Sequence, residues 1–112
     1  MKKIEAIIRS SRFDAVKEAL AEIHVNFFTF YEVKGFGKQR GKHVVYRGAV
    51  YDVGYIARLK LEIVLPDDKI AEACRTIREA ARTGEVGDGK ILVFPLDEIT
   101  SIRTGGVNES AV

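Results

Sequence analysis

The sequence predicts an α+β sandwich, one antiparallel sheet with two helices on a single face, and three observations carry that prediction. Ile4, Ala6 and Ile8, and again Leu59, Leu61, Ile63 and Leu65, alternate with polar residues at the period of a strand. Phe13, Val16, Leu20 and Ile23, and again Ile70, Cys74, Ile77 and Ala81, recur at helical spacing. The elements run β-α-β, long loop, β-α-β, the order of a ferredoxin-like βαββαβ sandwich with the long loop between its second and third strands.

Taken in order, Lys2 to Arg9 is a strand with Lys3 and Glu5 on the face opposite Ile4. Ser11-Arg12-Phe13-Asp14 resembles a capping box, with Asp for the usual Glu, and opens the first helix. Asn26 to Val33 concentrates Phe27, Phe28, Thr29, Phe30 and Tyr31, which favour a strand. That strand is apolar on both sides, so the sheet face without helices is expected to be covered by oligomerisation. Gly37 to Gly54 is basic and glycine-punctuated, without a clear period. A loop of that length is uncommon in a small domain and usually functional. The third strand follows, with Arg58, Lys60 and Glu62 between its leucines. Pro66-Asp67-Asp68 then supplies a turn and a helix cap. After the second helix, Thr83 to Gly89 is glycine-rich, and a short strand at Ile91 to Phe94 is stopped by Pro95. An extended segment around Ile99 to Arg103 precedes a polar tail.

The 112 residues are sized for a single domain, 1–112, and 46% hydrophobic with 30% charged residues is an ordinary globular composition. A net charge of +2 is too small to imply a nucleic-acid or membrane partner. The charge is uneven, however: Lys34, Lys38, Arg40, Lys42 and Arg47 crowd one stretch whose acids lie outside it. One cysteine, Cys74, excludes an intramolecular disulfide and a cysteine-based zinc site, and its place on a helical stripe reads as a small buried hydrophobe. Glu5, Arg9 and Arg12 break any apolar run near the start, so neither a signal peptide nor a membrane span is read there, and a bacterial-type cytosol is the simplest compartment.

Two segments carry candidate chemistry. In Thr83-Gly84-Glu85-Val86-Gly87-Asp88-Gly89-Lys90 the glycines let backbone N–H groups approach an anion, and Lys90 adds a positive charge. Ile91 follows Lys90, so this is not a Walker A loop, and an ordinary helix-to-strand turn is the competing reading. Tyr46-Arg47-Gly48-Ala49-Val50-Tyr51 places tyrosines around an arginine at an expected loop tip, the residue types of interface hot spots. It lacks the spacing of a nucleic-acid motif. His24 reads as a C-terminal turn residue and His43 as a loop residue without a second metal ligand beside it; no acid/base constellation is visible.

Lys34-Gly35-Phe36-Gly37, Tyr46-Arg47-Gly48-Ala49, Ala81-Arg82-Thr83-Gly84 with Gly87-Asp88-Gly89-Lys90-Ile91, and Arg103-Thr104-Gly105 resemble, in order and spacing, the signature segments of PII-type nitrogen-regulatory signal proteins. The resemblance covers essentially the whole chain. It implies a homotrimer with nucleotide clefts between subunits, a T-loop at 37–55, a B-loop at 82–90 and a C-terminal segment at 101–112. ATP or ADP is the implied ligand, with 2-oxoglutarate added beside Mg-ATP. The implied output is T-loop binding to an ammonium transporter or a nitrogen-metabolism enzyme, so a cytoplasmic protein recruited to the membrane only through a transporter. By position, Thr29 and Val64 would meet the adenine. Gly37, Lys38, Gly87, Asp88, Gly89, Lys90 and Arg103 would lie by the phosphates, with Glu62 pairing near Lys90. Gln39 would hold Mg²⁺ and the oxoacid, Arg58 the oxoacid carboxylate, and Tyr51 matches the tyrosine uridylylated in some members, with Arg47 the partner anchor.

The chain departs from the family pattern at five of these segments' positions or their neighbours: Lys38 and Ser101 where arginine is usual, Arg58 where lysine is usual, and Val50 and Leu92. Lys38 keeps charge without the bidentate fork, and Ser101 loses the charge. The expected activity is binding, not catalysis. The rival readings are a slow ATPase or nucleotidyl transferase on the same fold and a metabolite-binding regulatory trimer without an oxoacid response.

Overall fold

The computed structural model describes residues 1–36, 43–46, 49–52 and 55–112, and of 43–46, 49–52, 55 and 56 the backbone alone. Lys38, Gln39 and Arg47, with Gly37, lie outside the described residues.

The first strand, β1 (Lys2–Arg9), alternates half-buried and buried residues along its length, with Ile4, Ala6 and Ile8 buried. A 3₁₀ turn (Ser10–Arg12) leads into helix α1 (Phe13–Glu22), so the helix begins one residue later than a capping box at Ser11 requires. No side chain caps it; Arg12 sits at the N-cap and instead donates through Nε (3.0 Å) and Nη2 (2.6 Å) to the Ala80 carbonyl at the far end of the second helix. At its C-terminus α1 closes with a Schellman motif: Val25 N–H donates to Leu20 O at 2.9 Å, His24 N–H to Ala21 O at 3.0 Å, and His24 takes φ 64°. Val25 and Leu20, the apolar pair that accompanies this motif, are both buried. With His24 and Val25 serving the helix end, strand β2 starts at Thr29 and runs to Phe36, displaced from the Asn26–Val33 expectation.

The segment read as an aperiodic loop contains two short strands, β3 (His43–Tyr46) and β4 (Ala49–Asp52), paired antiparallel from His43↔Asp52 to Tyr46↔Ala49. Their β-branched and aromatic content sustains a ladder over four residues each, too short for a period to show among the glycines. Strand β5 (Tyr55–Leu65) follows, then helix α2 (Asp67–Ala81), whose N-cap is Pro66; Asp67 and Asp68 occupy its first turn, where acidic side chains favour the helix dipole without capping it. Strand β6 (Gly89–Pro95) completes the sheet, and Thr100 and Val107 form an isolated bridge that replaces the expected extended segment, before a 3₁₀ turn at Asn108–Ala111.

The sheet order is β2-β5-β1-β6, all antiparallel, which is the ferredoxin-like arrangement. Val16 and Leu20 of α1 and Ile70, Ala73, Ile77 and Ala81 of α2 pack with Ile4, Ala6, Ile8, Leu61 and Ile63 in one core. Cys74, expected on the buried stripe, is half-buried, and Ala73 takes the inner position; burial pushes the Cys74 thiol up, which keeps it protonated. Registers Lys3↔Phe94, Glu5↔Leu92 and Ile7↔Lys90 place these side chains on the face without helices, with Tyr31 and Lys60. Glu5 bridges Lys3 at 3.0 Å and Lys60 at 3.2 Å there.

Candidate functional site

Helix α2 ends at Ala81, Arg82 is extended, and the chain then makes the Thr83–Asp88 loop before Gly89 enters β6. Among the described residues, the hydrogen bonds that hold this loop all involve a side chain. The Asp88 carboxylate accepts from the Thr83 and Gly84 amides, each at 2.9 Å, from the Thr83 hydroxyl, and from Arg9 Nε at 3.0 Å. The Thr83 oxygen in turn accepts from the Glu85 amide at 3.2 Å. The Thr83 hydroxyl, then the Thr83 and Gly84 amides and Arg9, hold the Asp88 carboxyl far below the usual carboxylate range.

Two arginines support the loop from the sheet. Arg9 Nη2 donates to the Val86 carbonyl at 2.9 Å, and Arg58 Nη1 donates to the Gly87 carbonyl. Arg9 and Arg58 are cross-strand neighbours in the β1–β5 register, and Arg58 is only 8% exposed. Gly87 has φ 103°, which favours glycine, and a Cβ there would stand 3.1 Å from Arg58 Nη2 and 3.3 Å from Arg9 Nη2, so a side chain would also crowd the guanidinium groups beneath it. Neither the Val86 nor the Gly87 amide has an acceptor among the described residues.

Gly87, Asp88, Gly89 and Lys90 line a hollow of about 640 Å³ with Arg58 and Lys60 of β5, a size within the ~300–1,000 Å³ of small-molecule sites. Thr29, Glu62, Val64 and Arg103 line a different hollow, of about 970 Å³, at the other end of the sheet. One chain therefore brings the predicted residues together in two groups. Within it Glu62 accepts from the Tyr31 hydroxyl at 3.1 Å rather than pairing with Lys90, which stands across Ile7 from Lys60. Tyr51 is described by its backbone alone, opposite Val44 in the β3–β4 ladder.

Sequence reasoning missed Arg9 and Lys60, and placed Thr83 in the candidate loop without giving it a role. Arg9 carried one usable signal, a cation on the solvent-facing register at the end of a strand, but its partner depends on which strand lies beside it. The charge of the hollow beside the glycine-rich loop is positive: Arg58, Lys60 and Lys90 face Glu85, while the Asp88 carboxylate is engaged within the loop. Among the described residues no cluster of three or more His, Cys, Asp or Glu side chains could hold a metal ion, and no helix is long and apolar enough to cross a membrane.

A family model described as nitrogen regulatory protein P-II matches residues 1–106. The chain is 47% identical over 112 residues to nitrogen regulatory protein P-II 1 of Escherichia coli (strain K12), with 100% of both chains covered. It is 49% identical, again over 112 residues and the full length of both, to nitrogen regulatory protein P-II of Mesorhizobium japonicum. Among solved structures, Arabidopsis thaliana PII bound to citrate is similar with a TM-score of 0.82 and 37% identity, covering 99% of this chain and 91% of that one.

Proposed function

Because the chain belongs to the nitrogen regulatory protein P-II family, we propose that it is a nucleotide-responsive signalling protein that binds ATP or ADP and acts through partner proteins. The observation that carries this reading is the glycine-rich loop: an amide at Gly87 without an acceptor among the described residues, beside Lys90, on the wall of a positively charged hollow. A backbone donor and fixed cations are the recognition chemistry of a polyphosphate. Gly37, Lys38, Gly87, Asp88, Gly89, Lys90 and Arg103 serve the phosphates, Asp88 through its hold on the loop. Thr29 and Val64 serve the adenine, and Glu62, which accepts from the Tyr31 hydroxyl, lines the same hollow. The two hollows are parts of one cleft that a neighbouring chain completes, in a homotrimer.

Magnesium would arrive on the nucleotide, with Gln39 beside it; Asp88 is no ligand for it, because its oxygens already accept from Thr83, Gly84 and Arg9. When bound, the ion supplies charge neutralisation of the phosphates. Residues 37–55, with Arg47 and Tyr51, form the partner loop, read by an ammonium transporter or a nitrogen-metabolism enzyme in the cytoplasm. The 2-oxoglutarate response runs through Gln39 and Arg58. A second reading, a regulatory trimer without that response, is favoured by one feature: Arg58 is buried and already donates to the Gly87 carbonyl.

Calorimetric titration with ATP, ADP and AMP, each with and without Mg²⁺ and 2-oxoglutarate, tests both readings. ATP and ADP are expected to bind and AMP to bind far more weakly, since the phosphates carry the recognition. A gain in affinity for 2-oxoglutarate only with Mg-ATP selects the first reading, and its absence the second. No binding of ATP or ADP would remove both.

A further inference from the structure

We propose that Arg9 and Arg58 act together as positioning residues that aim the anion-binding amide of Gly87; this rests on the nucleotide reading above. A trans peptide is planar, with its N–H directed opposite its C=O. The Val86 carbonyl and the Gly87 amide share one such plane, and the Gly87 carbonyl and the Asp88 amide share the next. Arg9 holds the first carbonyl at 2.9 Å and Arg58 holds the second. Gly87 thus lies between two held planes, which removes its freedom at both dihedrals and keeps it at φ 103°. Its amide is turned away from the carbonyl that Arg9 holds, free to meet a ligand. Glycine would otherwise make this the loosest point of the loop, because it loses the most conformational freedom on ordering.

The register supports the pairing independently of the loop. Arg9 and Arg58 face each other across β1 and β5 on the same side of the sheet, and like charges in that relation repel. Here each guanidinium has a separate oxygen to meet, Val86 O with Asp88 Oδ1 for Arg9 and Gly87 O for Arg58. A pair of cations placed so is explained by the consecutive carbonyls above them. Neither arginine needs to touch the nucleotide.

The test uses full-length protein with Arg9→Met, Arg58→Met, the double variant and Arg58→Lys, titrated with ATP and with adenosine. Each Met variant is expected to weaken ATP about tenfold, the scale of one lost charge-assisted hydrogen bond, and to leave adenosine unchanged. Freeing either plane frees Gly87, so the double variant should be no weaker than about the worse single one. Arg58→Lys, whose amine can still donate to the Gly87 carbonyl, should recover most of the affinity. A double variant weakened by the product of the single losses would make the arginines independent charges and overturn the clamp, as would equal losses for ATP and adenosine. NMR amide exchange on the ligand-free proteins gives a second reading: the Thr83 and Gly84 amides should exchange faster in Arg9→Met. Unsubstituted protein that binds no ATP overturns the nucleotide reading and the inference with it, whereas normal ATP binding by every variant overturns the inference alone.

Discussion

The Asp88 carboxylate accepts from two amides, a hydroxyl and a guanidinium, and the same contacts that shape the loop depress its pKa. A group whose folded pKa lies below its unfolded value of about 4 contributes stability that is fully present above that value. The contribution is lost only as pH falls through the folded pKa. Around neutrality and down to mildly acidic pH the loop is therefore expected to keep its shape. A ¹³C NMR titration should find Asp88 still ionised where an ordinary aspartate, near 4, is half protonated. Titration at the ordinary value would mean that the carboxylate is not bound by Thr83 and Gly84 in solution. The family resemblance placed Asp88 beside the phosphates; the donors its carboxylate meets in the structure make it an organiser of the loop amides.

At the scale of elements, the β1–β6 ladder and the loop meet at Gly89. Its φ is +105°, and an added Cβ would lie 1.8 Å from the Ile7 carbonyl oxygen, inside the ladder itself. No side chain can rotate to relieve that contact, so Gly89→Ala must part the two strands at the point where the loop is anchored. A cost of about 3 kcal/mol or more is expected, from strain plus broken pairing. Gly105, with φ +73° and nothing within 4 Å, is the control. Alanine there should cost only about 1 kcal/mol, the steric price of a left-handed backbone. Urea denaturation of both variants measures the difference, and similar midpoints would show that β6 yields where the structure has it fixed. The element boundaries follow the same logic of local competition. Strand β2 starts late because His24 and Val25 close α1, and α1 starts late because Ser10–Arg12 form a 3₁₀ turn.

For the whole molecule, the sheet has one face packed by helices and one face without them. On the latter, Phe94 and Tyr31 are 38% and 45% exposed, Leu92 lies between Phe94 and Lys90, and Lys3 stands 5.6 Å from the Phe94 ring. Phe27, at 83% exposure, adds apolar surface beside the second hollow. A face of this composition calls for cover, and the division of the candidate site between two hollows calls for a neighbour that unites them. Light scattering at micromolar concentration is expected to return about three chain masses, the closed cyclic assembly proposed above. A stable single-chain mass would leave the hollows separate and sink the shared cleft.

Local sequence alone set the alternation of β1, the helical spacing of both helices, the order of the main elements and the glycine-rich, cationic character of Gly87 to Lys90. Each of these rests on near neighbours in the chain, where periodicity and residue type act directly. The family was legible for the same reason, since its signature segments are local runs. The tertiary structure decided what depends on partners far apart in sequence. Arg9 reaches Asp88 and Val86 because β1 lies between β5 and β6, and Arg58 reaches Gly87 because the register places it beside Arg9. Thr29, Glu62, Val64 and Arg103 separate from the glycine-rich loop for the same reason: strand register, not sequence spacing, sets where a side chain stands along a sheet.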